Sequence, residues 1–273
     1  MYLNEPWHSD GSVQQVSPRQ QTLQLIGLSH VPMVQPGDDL GALLIDAMAQ
    51  QKLVSQDKDI LVVAQKIVSK AEGRYVDLQQ VSPSSRALEL AGLTGKDPRL
   101  VEVILSESVD VLRCRDSLVI VRHRLGFVMA NAGVDQSNVA PDGAVERVLL
   151  LPQDPDGSSA RLKHALDTHF GSELGVIVSD SVGRAWRIGT VGLALGLAGI
   201  PAVQDFRGRD DLYGRALQVT EVGFADQVAS SAALLMGEGS EGVPAVLVRG
   251  LQWSNADATA ALLIRPQAQD LFQ

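Results

Sequence analysis

Leu174-Gly175-Val176-Ile177-Val178 runs into Ser179-Asp180-Ser181, giving LGVIVSDS across 174–181. The apolar run is too short for a membrane span and too uninterrupted for a half-exposed strand. It reads as a buried strand whose end carries a carboxylate between two hydroxyls. A second run, Ile60 to Ala64 (ILVVA), has the same character and passes directly into Gln65-Lys66-Ile67-Val68-Ser69-Lys70. Ala245 to Val248 is a third, closing strand. Upstream of Leu174, the stretch Leu151 to Gly157 (LPQDPDG) is turn chemistry, and Ser159 to Phe170 reads as a helix. Downstream, Thr190 to Gly199 is small, apolar and rich in glycine, so helix and strand both remain open for it. Ala225 to Met236 reads as an Ala/Ser-rich helix stopping at Gly237.

Toward the N-terminus, Leu40, Leu43, Leu44, Ala47 and Met48 form one helical stripe, with Asp38 as its expected cap. Ser84 to Leu93 and Pro98 to Ser106 also read as helices, the second capped by Asp97 with Pro98 at its first position. Strands near Ser117 to Arg122 and Gly126 to Ala130 flank a basic turn. This irregular alternation lacks the βαβ rhythm of a doubly wound sheet. It predicts an α+β, two-lobed, mixed-sheet fold rather than a Rossmann fold. The expected organisation is a mobile N-terminal extension at 1–21, one domain of two intertwined lobes at 22–251, and a C-terminal tail at 252–273 with an appended helix.

The 273 residues are 45% hydrophobic and 20% charged, ordinary values for a globular enzyme. No apolar run approaches the roughly 20 residues of a membrane span, and the polar start lacks a signal-peptide core, so a cytoplasmic protein is expected. The net charge of −9 opposes general nucleic-acid binding. Cys114 is the only cysteine, which excludes an intrachain disulfide and a cysteine zinc cage. The five histidines have no metal-type spacing, and neither GxSxG nor a Walker ending occurs.

Four constellations carry possible chemistry. In Asn131-Ala132-Gly133-Val134-Asp135-Gln136-Ser137-Asn138, Gly133 permits a sharp turn and Asp135 offers a hard oxygen ligand for magnesium or manganese, with Asn138 three residues on. An Asx-type turn closing a hairpin accounts for the same residues. In Ser179-Asp180-Ser181-Val182-Gly183-Arg184, Asp180 and Ser181 suit a metal ion, while Arg184 and Arg187 suit a phosphate or carboxylate. The alternative is that Asp180 caps a helix. In Met236-Gly237-Glu238-Gly239-Ser240-Glu241-Gly242-Val243, three glycines leave backbone N–H groups to cradle an anion, against a plain flexible turn with a solvated Glu238. The basic residues Arg207, Arg209 and Arg215 stand among Asp205, Asp210 and Asp211, as an acid-binding loop or a salt-bridged one. If Asp135, Asp180 and Glu238 converge, two carboxylates about 5 Å apart repel by roughly 3 kcal/mol at an effective dielectric near 20, which favours a bound cation.

Seven blocks in order, GDDL (Gly37 to Leu40), IVSKAEGR (Ile67 to Arg74), NAGVDQSN (Asn131 to Asn138), LPQDPDGS (Leu151 to Ser158), SDSVGR (Ser179 to Arg184), GRDDLYGR (Gly208 to Arg215) and LLMGEGSEGVPAVLVRG (Leu234 to Gly250), resemble the coenzyme F-420-0:L-glutamate ligase family. They cover about Leu23 to Leu251, nearly the whole chain. The resemblance implies a homodimeric, GTP-dependent ligase that joins L-glutamate to the terminal carboxylate of a deazaflavin coenzyme F-420 precursor through an acyl phosphate. It implies one or two magnesium or manganese ions, with potassium as a further candidate ion. By motif position, Asp135, Asp180, Ser181 and Glu238 match the family's metal ligands. Val31, Pro32, Met33, Val34, Lys70, Asn138 and Met236 to Val243 match its nucleotide contacts. Gln65 and Lys66 stand where family members often carry small hydroxyl residues, although Lys66 keeps a charge that a phosphate can meet. Arg184, Arg187, Arg207 and Arg209 are candidate substrate contacts. Two rival readings use the same residues: a metal-dependent nucleotide phosphohydrolase and a non-catalytic deazaflavin-binding protein.

Overall fold

The structure, a computed structural model, describes residues 22–137 and 146–270. The expected extension at 1–21 and Asn138 lie outside the described residues.

The LGVIV run forms β8 (Gly175–Gly183), which pairs in parallel with β2 (Ile60–Ala64). On the other side of β2 lie β12 (Ala245–Arg249) and then β1 (Gln24–Gly27), each antiparallel to its neighbour. Beyond β8 lies antiparallel β9 (Thr190–Ala198), so the sheet order is β1-β12-β2-β8-β9. A single parallel pair in a mixed sheet makes the fold α+β and excludes a doubly wound one.

Both faces of this sheet are covered, which is why its central strands are apolar without interruption. Leu61, Val63, Val176, Val178 and Leu247 join a core with α1 (Leu40–Gln50) and α5 (Pro155–Phe170). The alternate residues Ile60, Val62, Ile177, Val246 and Val248 join another with α6 (Phe224–Met236). Asp59, buried just before β2, is gripped by Arg249 at 2.9 and 2.6 Å.

The ambiguous stretch Thr190 to Gly199 is strand β9, and close packing explains its small residues. A Cβ on Gly196 would lie 2.2 Å from the carbonyl carbon of Pro155, and one on Gly192 would lie 2.5 Å from the Ala229 oxygen. The small face of α6 is consumed there: Ala225, Ala229 and Ala232 are fully buried within this chain. That face packs within this chain, where Gly192 of β9 meets Ala229.

Other boundaries differ from expectation for local reasons. Asp39, not Asp38, caps α1 by accepting from the Ala42 N–H, while Asp38 accepts from Gln35. The LPQDPDG stretch is largely capping chemistry: Asp154 accepts from the Gly157 N–H, so α5 begins at Pro155. Among the described residues the tail forms only short 3-10 turns at Ala260–Leu263 and Gln267–Gln269, not an α-helix.

A second group of elements packs its own smaller cores. It contains α2 (Gln65–Ala71) at its border, β3 (Tyr75–Asp77), α3 (Ser85–Thr94), α4 (Pro98–Ser106), β4 (Ser108–Arg115), β5 (Leu118–His123), β6 (Val128–Ala130) and β7 (Arg147–Leu149). Pairings are β3 with β7 and β4-β5-β6. Strand β4 escapes a sequence reading because its residues are mostly exposed and its register is interrupted twice. Glu107, largely buried, ties this group together by bonding Arg74 at 3.1 Å and Arg124 at 3.0 Å. A short ribbon of β10 (Gln204–Asp205) and β11 (Glu221–Val222) completes the fold. Among the described residues no helix is long and apolar enough to cross a membrane.

Candidate functional site

Strand direction decides where the candidate residues meet. β1, β2 and β8 point one way, while β12 and β9 run against them. The carboxyl ends of the first three and the amino ends of the last two therefore share one end of the sheet. Val31 to Val34 follow β1, and Gln65, Lys66 and Lys70 lie on α2 directly after β2. Asp180 and Ser181 occupy the outer part of β8, beyond its last pairing with β2 at Ser179. Gly237 to Val243 lead into β12, whose register puts Ala245 beside Val63. Thr190 opens β9 opposite Gly183 and donates to Glu238 Oε1 at 3.1 Å.

Asp135 arrives from the second group. Asn131, Ala132 and Gly133 all have positive φ, between 52° and 65°, and Ala132 is fully buried. Left-handed backbone at a buried alanine costs on the order of 1 kcal/mol and persists only where surrounding packing enforces it. The chain then bridges to β7, Asp135 exchanging both backbone hydrogen bonds with Leu149. Asp135 Oδ1 accepts from the Ser137 N–H at 2.6 Å, so an Asx turn does form. Its other oxygen faces the sheet and meets Lys66 Nζ at 2.6 Å. Lys66 also donates to Ser137 Oγ at 2.9 Å.

Asp180 lies within a strand that continues to Gly183, which removes the helix-cap reading. Its pKa is pushed up to about 6 by burial, and the nearby Asp135 and Glu238 charges add to that rise; Lys66 and a bond from the Ser181 backbone oppose it. Asp135 and Glu238 thus each lie within electrostatic reach of Asp180. Burial also acts to raise the Asp135 pKa, but bonds from Lys66 and Ser137 override it and hold the carboxyl below its usual range. Lys70, buried at 6% exposure, is pushed down by burial and by Lys66.

Hard oxygens from Asp135, Asp180, Ser181 and Glu238 are of the kind that suits magnesium or manganese, and a cation there would offset the carboxylate repulsion that adds to the rise at Asp180. Among the described residues no three His, Cys, Asp or Glu side chains close into a metal cage as they stand. Asp135 is turned onto Lys66 instead.

The remaining candidates divide. Gln65 is buried and accepts from Ser69 Oγ at 2.9 Å, a contact within its own helix. Val34 is core, Val31 partly so, while Pro32 and Met33 are exposed. In the glycine loop, the Gly239 N–H is already donated to Glu241 Oε2 at 2.8 Å, so this cradle holds a carboxylate of its own chain. Gly237, at φ 69° and ψ −175°, adopts a backbone that only glycine takes readily. Arg184 donates to the Gly189 carbonyl at 3.0 Å, and Arg187 is exposed. Arg207 pairs with Asp205 and Glu221, Arg209 stacks on Phe206 at 4.3 Å, and Arg215 lies 4.0 Å from Asp211. That arginine segment is therefore a salt-bridged ribbon. Thr190 and Ser137 were not singled out from sequence; Thr190 becomes visible only once β9 is paired with β8.

An α+β scaffold that gathers acids, lysines and a glycine loop at one sheet end defines a class suited to handling phosphorylated, anionic substrates. Comparison with known proteins narrows that class. A family model described as F420-0:Gamma-glutamyl ligase matches residues 29–250, and the chain belongs to this family. It is 45% identical over 253 residues to the Coenzyme F420:L-glutamate ligase of Methanothermobacter thermautotrophicus, covering 92% of this chain and 99% of that one. The proteins of the same name from Archaeoglobus fulgidus (42% identical; 92% of this chain, 96% of that one) and Methanocaldococcus jannaschii (39%; 92% and 97%) are likewise similar over nearly their whole lengths.

Proposed function

We propose that this protein ligates L-glutamate to the terminal carboxylate of a deazaflavin F420 precursor, consuming GTP with the help of magnesium or manganese. Family membership supports the ligase class. The observation that carries the finer reading is the convergence of Asp135, Asp180, Glu238, Lys66, Lys70 and the glycine loop on one sheet end. When bound, the metal supplies charge neutralisation for the phosphates. Asp135, Asp180 and Glu238 would hold it, with the Ser181 hydroxyl beside them. Lys66 and Lys70 bring positive charge to phosphate oxygens, and the loop after α6 offers the Gly239 backbone N–H once Glu241 yields it.

In this reading the substrate carboxylate attacks the γ-phosphorus, releasing GDP and forming an acyl phosphate. The glutamate amine then attacks the acyl carbon, phosphate leaves, and the amine loses a proton. The chain's own part is to orient the two substrates and exclude water from the acyl phosphate.

Mass spectrometry of the deazaflavin after incubation with glutamate, metal and either GTP or ATP tests this directly. A product heavier by one or more glutamyl residues, with matching release of GDP and phosphate, is expected. GTP hydrolysis that proceeds without glutamate and leaves the deazaflavin unchanged would overturn the reading in favour of a phosphohydrolase. Deazaflavin binding with no nucleotide turnover would overturn it in favour of a binding protein.

A further inference from the structure

Lys66 is the member of this site whose role neither the fold nor the family settles. Its side chain is 23% exposed, yet its ammonium sits 2.6 Å from Asp135 Oδ2 and 2.9 Å from Ser137 Oγ. One ammonium on α2 thus holds a carboxylate delivered by a separate part of the chain. A divalent cation bound by Asp135 and Asp180 needs the same carboxylate face. Like charges at such short range compete for that face, because their repulsion scales inversely with distance. Lys66 has a way out: it lies in the first turn of α2 on a flexible four-carbon stem, and Ser137 Oγ anchors its ammonium besides Asp135.

We propose that Lys66 is the resident counter-ion of this site. It holds Asp135 while no divalent ion is bound, and it gives up Asp135 for a nucleotide phosphate as the metal enters. This rests on the metal-and-nucleotide reading above. Two consequences follow from the exchange. Metal alone binds weakly, because it must expel an ammonium that then loses its counter-charge. Nucleotide strengthens metal binding, because a phosphate receives the displaced Lys66, and by linkage metal strengthens nucleotide binding equally.

The test is Mn2+ binding, followed by calorimetry and by the loss of the free-ion EPR signal. It compares the unaltered protein, Lys66→Met and Lys66→Arg, each with and without a non-hydrolysable GTP analogue. Melting curves without metal establish that all three are folded. Lys66→Met, which keeps the stem and removes the charge, is expected to bind Mn2+ alone about tenfold more tightly, and its gain on adding nucleotide should shrink to about twofold or less. Lys66→Arg should stay near the unaltered protein in both respects. Unchanged or weaker Mn2+ binding by Lys66→Met overturns the proposal, as does an undiminished nucleotide gain. So does Lys66→Arg behaving like Lys66→Met, since shape rather than charge would then matter. If none of the three folded proteins binds Mn2+ in any arm, the metal reading itself fails along with the proposal.

Discussion

Asp180→Asn keeps the side-chain shape on β8 while removing a charge that the site tolerates poorly. Burial and the Asp135 and Glu238 carboxylates raise the Asp180 pKa from 3.8 to about 6. For an acid raised in the folded state, the folded protein binds the proton more tightly. Its contribution to stability is therefore fully present below 3.8 and is lost as pH rises through about 6. A rise from 3.8 to about 6 corresponds to destabilisation on the order of 3 kcal/mol at pH 7.5. Asparagine carries no such charge and retains an oxygen for the Ser181 N–H. The metal-free variant should thus melt about 6 °C or more above the unaltered protein at pH 7.5, and the two should converge at pH 4. Saturating Mg2+ should stabilise the unaltered protein more than the variant, because a neutral amide is a poorer ligand for a hard cation. Ligation by the variant should fall by about 100-fold, near 3 kcal/mol of transition-state stabilisation. Paired melts at pH 4 and 7.5, with and without Mg2+, read the first three effects, and the glutamate-ligation rate reads the last. A variant that melts lower without metal at pH 7.5, or one that ligates normally, would refute the reasoning.

Arg249→Met should destabilise the protein by about 3–5 kcal/mol in urea unfolding, because it leaves Asp59, 1% exposed, without its bidentate partner; a loss under 1 kcal/mol would mean that water reaches Asp59. Gly192→Ala should cost about 2–3 kcal/mol in the same assay, since its Cβ would sit 2.5 Å from the Ala229 carbonyl and push α6 off β9. The same push should displace the Gly237 loop and weaken binding of a GTP analogue, and unchanged affinity would count against that loop as a nucleotide contact. Burial acts to raise the Glu107 pKa, but His123, 3.5 Å away, and the bonded Arg124 and Arg74 guanidiniums hold it below the ordinary value of 4.5. Its contribution is present above 4.5 and lost as pH falls through the lower folded value. Glu107→Gln should therefore flatten the acid limb of the stability curve below about pH 4.5, and an unaltered limb would assign acid unfolding elsewhere.

Local chemistry made much of this protein legible in one dimension. The unbroken apolar runs at Ile60 to Ala64 and Leu174 to Val178 announce strands covered on both faces, because half-exposed strands must alternate. Asp97-Pro98 marks a helix start through groups a few residues apart, as does Ser84. Ordered motifs along the chain pointed to the family that the comparisons show. What the sequence left open depends on partners distant in the chain. Thr190 to Ala198 became a strand because β8 supplies its hydrogen bonds and because α5 and α6 press on Gly196 and Gly192. Asp180 looked equally suited to capping a helix until pairing with β9 extended β8 to Gly183. Above all, the Lys66–Asp135 contact joins residues 66 and 135, and only the shared direction of three strand ends and the forced left-handed turn at Asn131–Gly133 bring them within 2.6 Å. Propensities act over a few residues, whereas charge balance is settled by whatever the fold sets side by side.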